Sequence, residues 1–434
     1  MYLEVVYPKN WKGGRFPLVI GILFLMSLAT SALAQAKFVT EYRLDRDVLE
    51  IPFEYKDHQI LVQGGVDKKS DLTFLFDTGA SSPVLDSSLG VTGYHLADTE
   101  VQQAEGLLQV ESVWVDSLRV TSKEGGAEVS NISVLLTDLS QISKVLGKKI
   151  DGILGITFMA GYITEIDYAH QKLRFYPKKT NLLVQRTPDN QRTFLFNLLF
   201  VNPLNPACLA LYGQLHTKYD YDFLLDTGFG GYVSVSKLAA EESGILKPET
   251  PRISSTNYSV TNRFKTDKFR VPFLMLGEIN LSGRIVQADI RNKNAYGQRG
   301  IVGNRFLQNY HVILDYARRK LWLERVTTKE EPDEAEKLSL GLAIRANGAT
   351  IRVDRVSKNS PAQRSGVKPG DKIISINGQA IATISTTEVA NLLASPHGET
   401  RLALIRGIDP NLGIGGQPYS LLLQPSSPLD WKGD

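Results

Sequence analysis

The chain contains the same local pattern twice, and this repeat constrains the fold more than any other feature. In each copy an apolar run leads into the triplet Asp-Thr-Gly, at residues 77–79 and 226–228, and a second apolar run follows. A single triplet would indicate only a surface turn, in which Gly supplies backbone freedom and Asp and Thr bond to nearby backbone groups. Two triplets in matching surroundings, 149 residues apart (226 − 77), indicate a shared structural role.

A glycine-containing motif follows each triplet at nearly the same distance. Gly-Ile-Leu-Gly occupies residues 152–155 and Gly-Ile-Val-Gly residues 300–303, beginning 75 and 74 residues after the aspartate (152 − 77 and 300 − 226). Each copy then ends in a strand pair that contains Asp167 or Asp315, 15 residues further on (167 − 152 and 315 − 300). Such ordered self-similarity predicts a duplicated unit whose two carboxylates meet across a two-fold axis. For Asp167 and Asp315 themselves we expect a structural role, as exposed carboxylates at strand ends.

These paired motifs resemble the two-lobed aspartic peptidases of the pepsin and retropepsin-like group. In that group each lobe has an apolar-apolar-Asp-Thr-Gly loop and, packed under it, an apolar-apolar-Gly turn, matched here at residues 153–155 and 301–303. The resemblance extends over roughly residues 41–326. It implies a mainly β fold, a duplicated two-lobed aspartic-protease β-barrel, with a hydrolytic dyad of Asp77 and Asp226.

The same resemblance assigns supporting roles to the other residues of the triplets. Thr78 and Thr227 would tie the two loops together across the axis and so fix the separation of the carboxylates. The two glycines, Gly79 and Gly228, would allow close approach of the backbone.

The chemistry explains why two carboxylates are needed. One ionised group takes a proton from water while one protonated group polarises the scissile carbonyl, and like charges this close cannot both ionise, as in aspartic proteases generally. Asp77 and Asp226 are therefore assigned jointly, and which of them is the base is left open. The family commonly has Ser, Thr or Ala after the triplet; Ala80 fits, but Phe229 offers no side-chain donor and would alter the titration or the cleft.

Residues 99–115, with Gly106 near the middle, alternate polar and apolar side chains and predict a hairpin. In the resembling family a hairpin at this place is the flap that closes over bound peptide. An ordinary surface hairpin is the alternative.

Composition excludes several classes of function. With 49 basic and 46 acidic residues the net charge is +3, which gives no electrostatic case for nucleic-acid binding. The six histidines show no ligand spacing, so we expect no metal site and no cofactor. Cys208 is the only cysteine, so no intramolecular disulfide can form.

The N-terminal segment has the features of a secretory signal peptide. Lys9, Lys12 and Arg15 precede an apolar run at residues 16–29, and Ala-Leu-Ala follows at residues 32–34. An uncleaved membrane anchor is the alternative, although the run is shorter than the roughly 20 residues that span a bilayer. We expect export to the periplasm or cell envelope of a bacterium, with no stable membrane insertion after cleavage.

The C-terminal part resembles a PDZ domain of bacterial envelope proteases, on the pattern from Ser-Pro-Ala at residues 360–362 to Asn-Gly at residues 377–378. In this comparison Leu340, Gly341 and Leu342 match the carboxylate-binding loop, and residues 386–393 match the helix that lines the peptide groove. Such a groove binds a C-terminal or extended peptide as an added strand.

We therefore expect an α+β PDZ domain after the two lobes. The expected organisation is a signal peptide at 1–34, lobes at 35–180 and 181–326, a charged linker at 327–338, the PDZ domain at 339–425 and a tail at 426–434. The leading hypothesis is an exported aspartic endopeptidase whose PDZ domain recruits polypeptide substrates or partners. A catalytically silent peptide-binding protein is the alternative.

Overall fold

The computed structural model describes residues 39–103, 106–183, 186–189, 191–201, 208–258, 263–289, 300–326, 338–347, 350–394, 396, 398–406 and 416–431. The predicted signal peptide and residues 327–337 of the predicted linker lie outside this part of the chain. No helix within it is long and apolar enough to cross a bilayer.

The fold is mainly β, as predicted, and begins with a first lobe of strands and two short helices. Its elements are β1 (Glu41–Leu44), β2 (Leu49–Pro52), β3 (Glu54–Lys56), β4 (Gln59–Val66), β5 (Lys69–Phe76), β6 (Val84–Asp86), β7 (Tyr94–Gln103), β8 (Gly106–Ser122), β9 (Gly125–Thr137), α1 (Ser140–Leu146), β10 (Gly152–Leu154), α2 (Ile156–Met159), β11 (Tyr162–Asp167) and β12 (Lys172–Pro177).

The second lobe repeats this arrangement. Its elements are β13 (Thr193–Asn197), β14 (Leu199–Phe200), β15 (Leu209–His216), β16 (Tyr219–Leu225), β17 (Val233–Ser236), α3 (Lys237–Glu242), β18 (Arg252–Tyr258), β19 (Arg263–Arg270), β20 (Met275–Leu276), β21 (Ile279–Asn280), β22 (Ile285–Asp289), β23 (Gly300–Val302), α4 (Asn304–Leu307), β24 (Tyr310–Asp315) and β25 (Lys320–Arg325).

An α+β domain follows at the C-terminal end, as predicted. It consists of β26 (Leu342–Asn347), β27 (Thr350–Val356), α5 (Pro361–Arg364), β28 (Lys372–Ile376), β29 (Gln379–Ala380), α6 (Thr386–Ala394), β30 (Thr400–Ile405) and β31 (Pro418–Leu423). Its apolar core is separate from that of the lobes. Strand β26 pairs only with β27 among the described residues, so it forms one edge of the sheet, and α6 lies beside it.

The strands that carry the two triplets pair in the same way in both lobes. In the first, β10 runs parallel to β5 with Gly152 opposite Phe74; in the second, β23 runs parallel to β16 with Gly300 opposite Phe223. A Cβ atom on either glycine would lie within 2.8 Å of the facing phenylalanine ring. Glycine is therefore required because the ring fills the space of a side chain.

The two lobes share a sheet to which each contributes three strands. Its order is β13-β25-β24-β11-β12-β2, and the central contact pairs β11 antiparallel with β24. Both repeated aspartates serve turns at its strand ends: Asp167 Oδ1 accepts from the His170 N–H at 3.1 Å, and Asp315 Oδ1 from the Arg318 N–H at 3.0 Å. The two residues thus have the expected structural role, but the expected exposure is wrong for Asp315, which is buried.

The predicted hairpin exists and is longer than expected, with β7 paired to β8 from Tyr94 opposite Trp114 to Gln103 opposite Gly106. Residues 104 and 105 lie outside the described chain, and closure over a peptide remains a prediction. Pairing places β18 and β19 as the corresponding hairpin of the second lobe, antiparallel and beside β22.

Candidate active site

The two Asp-Thr-Gly loops begin where β5 and β16 end. The Asp77 N–H donates to the Leu154 carbonyl and the Asp226 N–H to the Val302 carbonyl, both at 3.0 Å. The apolar-apolar-Gly turns, which lie at the ends of β10 and β23, thus hold the two Asp-Thr-Gly loops in place. This matches the packing that the sequence comparison implied.

The two aspartates meet across the axis between the lobes. A Cβ atom on Gly79 would lie 2.5 Å from Asp226 Cγ, and one on Gly228 would lie 2.4 Å from Asp77 Cγ. A side-chain hydrogen bond joins the two carboxyl groups. Only glycine fits at either position while the carboxyls remain in contact.

Two threonines interlock beneath the carboxyls. The Thr78 N–H donates to Thr227 Oγ1 and the Thr227 N–H donates to Thr78 Oγ1, both at 3.0 Å. Each hydroxyl in turn donates at 2.8 Å into the opposite lobe, to the carbonyl of Leu225 or Phe76. All of these groups are buried, so the interlock fixes the separation of the two loops.

Backbone donors surround one oxygen of each carboxylate. Asp77 Oδ1 accepts from the N–H groups of Gly79 at 2.7 Å and Ala80 at 3.1 Å, and Asp226 Oδ1 accepts from that of Phe229 at 3.0 Å. Phe229 therefore supplies a main-chain donor although its side chain has none. Its ring lies over Gly231, where a Cβ atom would be 2.1 Å from Cζ.

The surroundings of the dyad favour retention of one proton. Burial raises the pKa of both carboxyls, and the negative charge of Asp77 raises the pKa of Asp226 further, well above its ordinary value. Backbone donors and the bond from Asp226 oppose this rise at Asp77. The pair therefore retains one proton, and its two carboxyls titrate together.

Sequence reasoning missed two residues that hold the second loop. The Asn304 side chain donates to the carbonyls of Thr227 and His58, and its Oδ1 accepts from the Tyr168 hydroxyl at 2.6 Å. For Tyr168 the sequence offered one signal, since a tyrosine follows each repeated aspartate, at positions 168 and 316. For Asn304 it offered none, because the equivalent position of the first lobe is Ile156.

The three predicted PDZ residues lie in different surroundings. The Leu340 side chain is fully buried in the domain core, whereas Leu342 begins the edge strand β26. Gly341 has φ of +75°, and its N–H donates to Ser339 Oγ at 3.0 Å. Their role in binding peptide stays a prediction. Among the described residues, no group of His, Cys, Asp or Glu is placed to hold a metal ion.

Comparisons with known proteins agree with this architecture. The aspartyl protease family model matches residues 62–158, which include the Asp77 loop, and the PDZ domain family model matches residues 352–406. The chain therefore carries an aspartyl protease domain and a C-terminal PDZ domain. The Asp226 loop lies outside both matches, and no curated protein matches the chain.

Two solved structures show limited similarity. The photosystem II D1 C-terminal processing protease is 20% identical over 22% of this chain and 25% of its own, with a TM-score of 0.19. The PDZ domain of a carboxy-terminal protease from Vibrio cholerae, in complex with peptide, is 14% identical over 21% of this chain and 95% of its own, with a TM-score of 0.18. The chain thus spans a quarter of the first of these relatives.

Proposed function

We propose that this protein is an exported aspartic endopeptidase in which Asp77 and Asp226 activate water for peptide hydrolysis. The observation that carries the proposal is the contact of the two carboxyls, held by the crossed threonine bonds and allowed by the two glycines. Two joined carboxyls that share one proton form the arrangement that general acid–base hydrolysis requires.

Each carboxyl has a distinct task in this reaction. Asp77, ionised, takes a proton from the attacking water, while the proton on Asp226 bonds to the scissile carbonyl oxygen as charge develops there. Asp77 then passes the proton it took from water to the leaving nitrogen, and Asp226 takes back a proton from a hydroxyl of the tetrahedral intermediate, which releases the amine and the new carboxyl group and leaves one proton on the dyad. Because one proton must stay on the dyad, we expect the highest activity below neutral pH.

The PDZ domain is assigned to recruitment of polypeptide substrates. Its edge strand β26 and the adjacent helix α6 form the setting in which an extended or C-terminal peptide can add as a further strand. The N-terminal sequence supports export to a bacterial periplasm or cell envelope.

Incubation of the purified protein with an unfolded polypeptide tests the proposal. We expect cleavage that a transition-state analogue of aspartic proteases inhibits, and we expect Asp77→Asn or Asp226→Asn to lower kcat/KM by at least about 10³-fold. Asp167→Asn is the matched control, because that carboxylate contacts His170 and Arg174 and not the dyad. Binding of the polypeptide without cleavage would instead identify a silent peptide-binding protein.

A further inference from the structure

Two side chains cross between the lobes and reach the catalytic loops. Gln59, at the start of β4 in the first lobe, donates from Nε2 to the Gly228 carbonyl at 3.2 Å. Cys208, just before β15 in the second lobe, donates from Sγ to the Gly79 carbonyl at 3.3 Å. The two positions are 149 residues apart (208 − 59), the same offset that separates the aspartates. They are therefore equivalent positions in the duplicated fold.

Each carbonyl that accepts one of these two bonds belongs to a peptide group whose N–H contacts the dyad. The Gly79–Ala80 peptide donates to Asp77 Oδ1 at 3.1 Å, and the Gly228–Phe229 peptide donates to Asp226 Oδ1 at 3.0 Å. A hydrogen bond to a carbonyl oxygen polarises the amide and strengthens its N–H as a donor. Each crossing side chain thus lies one peptide group away from the carboxylate of the opposite lobe.

We propose that Gln59 and Cys208 are positioning residues of the dyad. Each of them sets one limb of the pH profile of kcat/KM, Cys208 the acid limb and Gln59 the alkaline limb. Cys208 acts on Asp77 through the first peptide group, and Gln59 acts on Asp226 through the second. The inference rests on the proposed function, because the limbs describe hydrolysis by this dyad.

The two donors differ in strength, which makes the dyad asymmetric. An amide N–H is an ordinary donor, whereas a thiol is a weak one. Burial, reinforced by the negative charges of Asp77 and Asp226, raises the pKa of the Cys208 thiol to about 12, so the donor proton is retained at working pH. Burial first, and then the charges of Cys208, Asp77 and Asp226, raise the pKa of the nearby Tyr316, whose buried hydroxyl has no hydrogen-bond partner among the described residues.

Packing stability alone does not account for glutamine at position 59. Its Oε1 atom is buried without a hydrogen-bond partner, which destabilises a fold. Methionine would fill a similar volume without that unpaired oxygen. The amide is explained by what its N–H group does at the Gly228 carbonyl.

Four substitutions test the proposal through the pH profile of kcat/KM. Gln59→Met weakens the donor to the Asp226 carboxylate, so the alkaline limb should move up by about half a pH unit. Cys208→Ala weakens the donor to the Asp77 carboxylate, so the acid limb should move up by a smaller amount, because the thiol is the weaker donor. Cys208→Ser keeps a donor and should restore that limb. Tyr316→Phe removes a nearby hydroxyl that makes no such bond and should move neither limb.

A second measurement separates this proposal from the proposed function. Carbon-13 NMR of labelled aspartate carboxyls follows the titration of the dyad whether or not the protein turns over substrate, with thermal unfolding as a check on the fold. If no variant hydrolyses peptide but the titrations shift as stated, the proposed function fails and the positioning role stands. The proposal would be overturned if the limbs of the pH profile and the carboxyl titrations stayed fixed while kcat/KM fell by the same factor at every pH. Gln59 and Cys208 would then only support the fold.

Discussion

Glu165 of β11 and His311 of β24 join the two lobes through a contact of 2.9 Å between Oε1 and Nε2. Glu165 also accepts from Arg174 and from the Tyr176 hydroxyl, the latter at 2.6 Å. Burial raises the pKa of this carboxyl, but the bonds from His311, Tyr176 and Arg174 outweigh it and lower the pKa from 4.5 to about 2. The sheet shared by the lobes therefore depends on an ionised glutamate.

The first prediction is a loss of stability in acid that depends on Glu165. A carboxyl whose pKa is lower in the folded state stabilises the fold above its unfolded pKa, and this stabilisation is lost as pH falls from about 4.5 towards 2. The shift corresponds to about 3 kcal/mol. Urea unfolding of Glu165→Gln should show lower stability at neutral pH and a weaker dependence on pH in that window.

Glu54→Gln is the control for this measurement. Glu54 pairs with Lys148 at the surface, where an ion pair contributes little. If both variants lost the same amount of stability at every pH, the buried contact would not be the source of the acid sensitivity.

The second prediction concerns the glycines that face the carboxyls. A Cβ atom at Gly79 or Gly228 would lie 2.5 Å or 2.4 Å from a carboxyl carbon, so the loops must move apart to accept alanine. We expect each alanine variant to lower kcat/KM by about 10²-fold or more, because small displacements of reacting groups have effects of this size. Gly90→Ala, where the added atom meets open space, should retain kcat/KM even if its positive φ lowers stability. Equal activities of all three variants would contradict the geometry of the dyad.

The third prediction concerns the threonine interlock. Thr78→Val keeps the shape but leaves the Thr227 N–H and the Leu225 carbonyl without their buried partner. We expect a loss of about 1–3 kcal/mol for each unpaired group. Thr78→Ser, which keeps the hydroxyl, should lose much less in chemical denaturation. The double variant with Thr227→Val should lose less than the sum of the two single variants, because both remove the same network.

The sequence predicted the dyad because its residues are identical in the two copies. Asp77 and Asp226, with their threonines and glycines, recur as the same letters at matched spacing. Gln59 and Cys208 stand at the same offset but differ in residue type, so a search for identical motifs passes over them. Their shared task is visible only in the direction of their hydrogen bonds.

The elements were less predictable where the chain changes sheets. Residues 194–201 form an almost continuous apolar run, yet the structure places parts of it in β13 and β14, which belong to different sheets. The chain passes between the sheets at Leu198, which is buried although it belongs to neither strand. An apolar run does not reveal which of two neighbouring sheets will accept each residue.

A contact between the C-terminal segment and the second lobe also escaped the sequence reasoning. Leu429 packs against Ile285 of β22 and Ile253 of β18. In the same segment, Trp431 lies by the PDZ loop, 2.9 Å from where a Cβ atom on Gly341 would be. Residues 426–431 thus connect the PDZ loop to strands β18 and β22 of the second lobe.

The last prediction separates recruitment by the PDZ domain from support through this contact. Both aspartates precede Val326, so a variant truncated there should still cleave a short unstructured peptide. Its kcat/KM for long substrates should fall by about tenfold or more, because tethering at the PDZ groove raises the effective concentration of substrate at the cleft. Leu429→Ala in the full chain removes the contact but keeps the groove, and should preserve the preference for long substrates. If truncation lowered kcat/KM equally for short and long substrates, and Leu429→Ala did the same, the PDZ domain would support the second lobe and would not recruit substrate.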